Sequence, residues 1–383
     1  MPAAIGIVAG EASGDLLGAH LIEALQPHFP QARFVGIGGP RMRSAGMDVL
    51  FPMETLAVRG YVEVARHYFE IIGIRRRLAA HFLRDPPACF IGIDAPDFNL
   101  SLERKLKRAG IATVQYVSPQ IWAWRSERLH EIGRAVDKML TVFPFEAALY
   151  EEARIPVAYV GHPLADMLGG FPGREAAREQ LRVPHSARII ALLPGSRITE
   201  VEQTAELFVA TAAEIAKTDP QIMFLAPLVS IQTRARFEAA LYRRGTPSLN
   251  LTILFGHAHE AMAASDVVLV CSGTATLEAA LLRRPMVITY RMPRLSWWIM
   301  KRRFRERYVG LPNILSGEFV VPELLQDDAT PENLAQAVLN LLSDAAVRSR
   351  IEHRFSRLLA QLRQDTSQKV VEALAPMLRA RLA

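Results

Sequence analysis

Short, mainly apolar runs alternate along this chain with longer stretches whose apolar residues recur every three or four positions. The first kind reads as buried strands, the second as helices with one apolar face. In the first half the runs fall at 4–9, 33–37, 89–93, 113–117 and 138–142. Between them, Leu17, Leu21, Ile22 and Leu25 mark a helical face, and residues 100–109 and 129–136 carry two more. This strand–helix alternation predicts a parallel sheet with helices on both faces. Turn-rich residues at 161–163 and 169–173 predict a linker. The rhythm resumes with strands at 188–193, 223–226, 251–254, 267–271 and 286–289. It closes on a helical stretch, 345–383, with Leu358, Leu359, Leu362, Val370, Val371 and Leu374 at its apolar positions. The expected architecture is α/β: two Rossmann-like domains, 1–168 and 174–344, joined by a hinge. The halves share this rhythm without a clear sequence repeat.

Composition changes that picture little and charge changes it more. The 383 residues suit two domains at roughly 150 residues each. A chain that is 50% hydrophobic and 22% charged can bury enough surface to fold, so disorder is excluded. Lys and Arg number 45 against 39 acids, a net +6, which favours acidic partners: phosphates, nucleic acid or anionic lipid. Cys89 and Cys271 each sit in an apolar run and read as buried, reduced thiols. Two cysteines exclude a disulfide scaffold and a Cys-based zinc site by count. The first residues lack the basic region and cleavage site of a secretory signal, and no stretch approaches the roughly 20 apolar residues that cross a bilayer. A cytosolic location is expected.

Ligands of open parallel sheets bind beyond the carboxyl ends of the strands, so the residues just after each run carry the chemistry. The first run leads into Gly10-Glu11-Ala12-Ser13-Gly14-Asp15, where glycines permit close backbone approach at a helix start. The spacing is not the dinucleotide fingerprint, and a cap from Ser13 or Asp15 to its own helix is the plainer role. The run at 89–93 ends in Asp94-Ala95-Pro96-Asp97-Phe98-Asn99. Asp94, nearer the strand end, is the candidate base for a sugar hydroxyl, with Asp97 in support. Capping by Asp97 or Asn99 accounts for one of these groups and not both. Trp122 and Trp124 suit the aromatic wall of a sugar or acyl pocket, or else serve as large core pieces.

In the second half, Gly195-Ser196-Arg197 forms a turn with an arginine at a helix start. Backbone N–H groups, helix dipole and guanidinium converge there on a phosphate, unless Arg197 is merely a solvated surface residue. Ser272, Gly273 and Thr274 repeat the pattern for a second phosphate oxygen. Glu278, one turn on, is placed to bridge both hydroxyls of a ribose; a capping pair with Thr274 is the plainer account. Two stretches suit a membrane surface. Val62, Val64, Phe69 and Ile72 precede Arg75-Arg76-Arg77, and Trp297-Trp298 precede the basic residues at 301–305. Either alone reads as a core helix with a solvated end; two in a chain of net +6 point to lipid. No metal signature is present: His257 and His259 lack a carboxylate triad, and His162 before Pro163 reads as structural.

The segments VAGEASGD (8–15), GIDAPDFN (92–99), YVSPQIWAWR (116–125), LLPGSR (192–197), SGTATLE (272–278) and LPNIL (311–315) run in order over nearly the whole chain. Together they resemble the lipid-A-disaccharide synthases, glycosyltransferases of bacterial outer-membrane lipid biosynthesis. One departure is Gly36-Ile37-Gly38-Gly39-Pro40, where the family pattern has a small residue such as alanine in place of one glycine.

The resemblance implies a GT-B fold with an inter-domain cleft. UDP would lie in the C-terminal half, on Arg197, Gly195, Ser196, Ser272, Gly273, Thr274, Glu278 and Asn313, and the acceptor in the N-terminal half. It implies transfer of 2,3-diacylglucosamine from its UDP donor to 2,3-diacylglucosamine 1-phosphate, with inversion. Asp94 would act as base, and Asp97, Glu11 and Ser13 are the other catalytic candidates. Trp122, Trp124 and the two amphipathic stretches would face acceptor and membrane. The expected partners are the UDP-activated acylated sugar, the phosphorylated acylated sugar and the cytoplasmic face of the inner membrane, where the protein associates peripherally. No cofactor, metal or nucleic acid is expected; a homodimer is left open. Residues 345–383 would cross back to the N-terminal domain. A UDP-sugar epimerase on the same scaffold is the competing enzyme. A lipid-surface or nucleic-acid-binding scaffold is the non-enzymatic alternative, and it leaves Arg197, Glu278 and Asp94 without a role.

Overall fold

The computed structural model describes residues 4–56, 64–119, 121, 128–245, 249–292, 297–298 and 307–382. The chain divides into two compact units, Met1–Asp166 with Leu362–Ala383, and Met167–Gln361.

In the first unit, strands β1 (Ala4–Ala9), β2 (Arg33–Gly38), β3 (Asp48–Pro52), β4 (Cys89–Ile93), β5 (Ala112–Tyr116), β6 (Lys138–Thr141) and β7 (Val157–Tyr159) form one sheet. Its order is β3-β2-β1-β4-β5-β6-β7 and every pairing is parallel. Strands β4 and β5 are buried along their whole length, as a sheet covered on both faces requires; β4 is apolar throughout, while β5 also buries Thr113 and Gln115. Val8, Val35 and Phe90 pack with Ile74, Leu78 and Phe82 of the helix Val64–Arg84 and with Phe98, Leu102 and Leu106 of the helix Pro96–Arg108. The edge strands β3 and β7, which lie outside the expected set, are only half-buried. The β2–β3 register shifts at Gly36. A Cβ there would stand 2.0 Å from the Ile7 carbonyl oxygen, so β1 and β2 pair only because residue 36 is glycine.

The second unit repeats the plan with β8 (Ile189–Leu193), β9 (Met223–Leu228), β10 (Leu251–Phe255), β11 (Val267–Cys271), β12 (Met286–Tyr290) and β13 (Glu323–Leu325). Their order is β10-β9-β8-β11-β12-β13, again parallel throughout. In each sheet the order reverses once, at β1/β4 and at β8/β11. The loops that leave those neighbouring strands part company and open a crevice at the carboxyl ends.

The end of the chain corrects the expected boundary at 345. The helix Ala345–Leu362 stays with the second unit as far as Gln361, and Glu352 lies 3.5 Å from Arg174 of that unit. Only from Leu362 does the chain rejoin the first. The Leu362 carbonyl accepts from His162 N–H at 3.0 Å, and the Asp166 carboxylate accepts from the N–H of Asp365 and Thr366 at 3.2 and 2.8 Å. The helix Thr366–Leu382 then takes the Lys138 ammonium on its Ala373 carbonyl at 2.8 Å. Both cysteines are free and buried, and burial pushes each thiol up to about 12. Among the described residues no helix is long and apolar enough to cross a membrane.

Candidate active site

In the first unit, Ala9 at the end of β1 lies opposite Ile93 at the end of β4. A Cβ on Gly10 would stand 3.1 Å from the Ala95 Cβ, so the two strand-end loops touch because residue 10 has no side chain. This contact brings Glu11 beside Asp94. Asp94 and Ala95 both hold left-handed backbone, φ +50° and +41°, a conformation that costs L-residues energy and persists only where surroundings enforce it. Here Asp94 N–H donates to the Tyr116 carbonyl at 2.9 Å. The Asp94 carbonyl accepts from Asn99 Nδ2 at 2.8 Å and Gln115 Nε2 at 3.0 Å. The turn aims a half-buried carboxyl out of the strand end. Burial first, and the charge of Glu11 second, raise the Asp94 pKa above the usual carboxylate value, against a lowering bond from Ala95.

The remaining first-unit candidates divide. Glu11 and Ser13 are exposed at the start of the helix Ala12–Leu25. Asp97 turns away from Asp94: its side chain is 85% exposed and pairs with Arg128 at 2.7 Å. Asp15 is buried, and it caps a different helix from its own. Its carboxylate accepts from the N–H groups of Gly39, Arg41 and Met42 at 2.8, 3.0 and 3.1 Å, fixing the start of the helix Pro40–Ser44. A Cβ on Gly39 would lie 2.5 Å from that carboxylate, which accounts for the second glycine of the Gly38-Gly39 pair. His162 is buried, pushed down to about 4 and hence neutral, and its Nδ1 accepts from Leu164 N–H at 3.2 Å. It is structural, as expected.

In the second unit, Leu193 of β8 lies opposite Val270 of β11. The turn after β8 corrects one expectation. The N–H groups of Ser196 and Arg197 are not offered to a phosphate but donate to Glu200 Oε2 at 3.0 and 3.2 Å. Gly195, at φ +130°, is needed because its Cβ would fall 2.7 Å from Glu200 Cβ. The Arg197 guanidinium is largely exposed, 3.5 Å from Glu200 Oε1. The turn after β11 is open. Gly273, at φ +151°, has nothing within 4 Å of where a Cβ would stand, and Gly273 and Thr274 are exposed at the start of the helix Thr274–Leu281 while Ser272 is half-buried. Glu278 is half-buried one turn in, its Oε2 3.0 Å from His259 Nε2. The partner of Glu278 is therefore His259, not Thr274. Sequence reasoning set His259 aside as a failed metal ligand; its spacing from Glu278 carries no local signal.

Asn313 is a second correction. It is wholly buried, and both ends of its amide are saturated: Nδ2 donates to the Val321 carbonyl (2.9 Å) and Glu323 Oε1 (2.8 Å), and Oδ1 accepts from Val320 and Val321 N–H (2.8 and 3.0 Å). It has no capacity left for a donor phosphate or sugar. Of the membrane-facing candidates, Val62, Trp122 and Trp124 lie outside the described residues, and Val64 opens the helix Val64–Arg84. Phe69 is 72% exposed, Ile72 half-buried, Trp297 half-buried and Trp298 52% exposed. The arginines at 75–77 are not all turned to solvent. Arg75 lies 6.0 Å over the Phe98 ring and donates to the Asp97 carbonyl, and Arg77 lies 5.0 Å over the Phe51 ring. Among the described residues no three His, Cys, Asp or Glu side chains gather to hold a metal ion.

Two parallel, Rossmann-like sheets, each with chemistry-bearing loops at its switch point, define the GT-B class. Solved structures share the fold over nearly the whole chain. UDP-GlcNAc 2-epimerase from Neisseria meningitidis, bound to UDP-GlcNAc, superposes with a TM-score of 0.67 at 12% identity, covering 98% of this chain and all of that one. MurG from Acinetobacter baumannii gives 0.58 at 13% identity with the same coverage. Sequence takes the assignment further. The chain belongs to the lipid-A-disaccharide synthetase family, whose model matches residues 5–377. It is 55% identical to the lipid-A-disaccharide synthase of Methylobacillus flagellatus over 97% of this chain and 98% of that protein. It is 53% identical to that of Dechloromonas aromatica over 97% of each. The protein is a glycosyltransferase of lipid A biosynthesis.

Proposed function

We propose that the protein condenses UDP-2,3-diacylglucosamine with 2,3-diacylglucosamine 1-phosphate, giving the β-1,6-linked disaccharide 1-phosphate and UDP. An α-linked donor and a β-linked product call for a single inverting displacement. The acceptor 6-oxygen attacks the donor anomeric carbon, its proton passes to Asp94, and the bond to the diphosphate breaks with the electron pair leaving on UDP. The observation that carries this reading is the Asp94 carboxyl, held at the β1/β4 switch point with its pKa raised by burial and by Glu11. A carboxylate whose pKa is raised in this way is a stronger base than a free one. The exposed N-terminus at Gly273 and the Arg197 guanidinium would take the developing charge of the diphosphate, and Glu278, oriented by His259, the ribose. Phe69 and Trp298 would meet the inner-membrane surface.

Asp94→Asn should lower kcat by about 10²–10⁴-fold with the fold intact, measured as disaccharide formed from the two purified glucosamine lipids. Transfer should persist in the presence of a chelator. An active Asp94→Asn enzyme removes Asp94 as base, and loss of turnover that only a divalent cation restores removes the arginine-and-helix account of the leaving group. An epimerase would convert the UDP-sugar with no acceptor present; no such turnover is expected.

A further inference from the structure

Beneath Asp94 lies a group of buried polar side chains for which the chemistry above has no use. Gly92 in β4 leaves a hollow, and a Cβ placed there would stand 2.4 Å from Glu103 Oε1, 2.8 Å from Gln115 Oε1 and 2.8 Å from Asn99 Cβ. Asn99 and Glu103 are four residues apart on the helix Pro96–Arg108 and so share one face of it. Gln115 reaches the same point from β5, where it lies opposite Gly92. All three side chains are fully buried.

Their nitrogens are spent on the strained turn: Asn99 Nδ2 and Gln115 Nε2 both donate to the Asp94 carbonyl, and Gln115 Nε2 also to Val117, whose φ is +74°. Their oxygens, with both oxygens of Glu103, have no partner among the described residues. Buried acceptors are almost always paired, and here oxygens of Glu103 and Gln115 meet at one hollow without a partner. A proton on Glu103 supplies the donor. Burial alone holds the Glu103 carboxyl well above the ordinary carboxylate range. Glu103 is within electrostatic reach of the Cys89 thiol, neutral itself, with Asp137 and Arg381 around that thiol.

We propose that Glu103 is a positioning residue for Asp94: its carboxyl O–H donates to the Gln115 side-chain oxygen and locks the amide that holds the Asp94 turn. The inference rests on the reading of Asp94 as base. In the full chain, Glu103→Gln places an N–H where the O–H stands and should keep turnover near wild type. Glu103→Leu, of similar size with no donor, should lower kcat about 100-fold, the cost of a small misplacement of a reacting group, with both KM values unchanged. An infrared band of a protonated carboxyl at neutral pH, shifted by isotope-labelled glutamate and missing from Glu103→Gln, tests the same point without requiring the leucine variant to fold. Absence of that band overturns the inference. So does a folded Glu103→Leu enzyme that turns over like wild type while Asp94→Asn is inactive. An active Asp94→Asn overturns the underlying reading, and this inference with it.

Discussion

Asp94 is costly in its place. A carboxyl whose pKa is raised on folding adds stability only while it is protonated, below its unfolded pKa, and loses that contribution as pH rises through the folded value. Above both values its charge therefore weighs against the fold. Asp94→Asn should accordingly melt at a higher temperature than wild type in mildly alkaline buffer, and thermal scans should show the gap closing as pH falls through the raised pKa. Residue-scale features of this kind are legible in sequence where a motif concentrates them, as at Asp94, Gly273 and Glu278. They are hidden where the partner is remote. Nothing near Glu278 points to His259, and nothing near Asn313 shows that its amide is consumed by Val320, Val321 and Glu323. The turn at Ser196 misleads differently: the Glu200 carboxylate satisfies the same N–H groups that a phosphate would.

At the scale of elements, the central strands and the edge strand β10 were plain from the pattern, and the edges β3, β7 and β13 were not. Central strands are buried on both faces and are mainly apolar. Strands β3, β7 and β13 have only one neighbour and stay half-exposed, and the apolar runs at 49–53 and 155–160 contain Pro52 and Pro156, a residue that a strand tolerates only at a sheet edge. Polar brackets hold such margins in place, and their loss should be measurable. Asp15→Ala frees three N–H groups at the start of the helix Pro40–Ser44, next to β3, and should cost about 2 kcal/mol in denaturant unfolding. Asn313→Ala strands the N–H groups of Val320 and Val321 and the Val321 carbonyl next to β13, and should cost about 3 kcal/mol. For Asn313→Ala, the KM for the UDP-sugar should stay unchanged in whatever fraction remains folded, because the side chain is spent within the protein.

For the whole molecule, the proposed reaction puts UDP on the second unit and the acceptor on the first. UDP at about 100 times its Kd should add about 2.7 kcal/mol to the state that binds it. Hydrogen exchange should show that protection in Met167–Gln361, chiefly in β8 and β11. Slowed exchange in β1 and β4 alone would move the nucleotide to the other unit. The rhythm of the sequence revealed both sheets. It misplaced the return of the chain, because the turn at Leu362 lies within an unbroken helical pattern whose change of allegiance is written in Asp166 and His162, some 200 residues upstream by the same reckoning that spaces long-range contacts.

That return has a consequence for how the protein is born. A ribosome delivers about 5–20 residues per second, and the unit begun first is finished last. Val370, Leu374 and Leu378 are buried on the helix Thr366–Leu382, which packs against the helix Ala12–Leu25 and brings Met377 sulfur to 3.8 Å from Cys89. Until these late residues emerge, the nascent first sheet waits with that flank bare, while the uninterrupted second unit can close as soon as it clears the exit tunnel. The first unit thus closes only with the last residues to be synthesised.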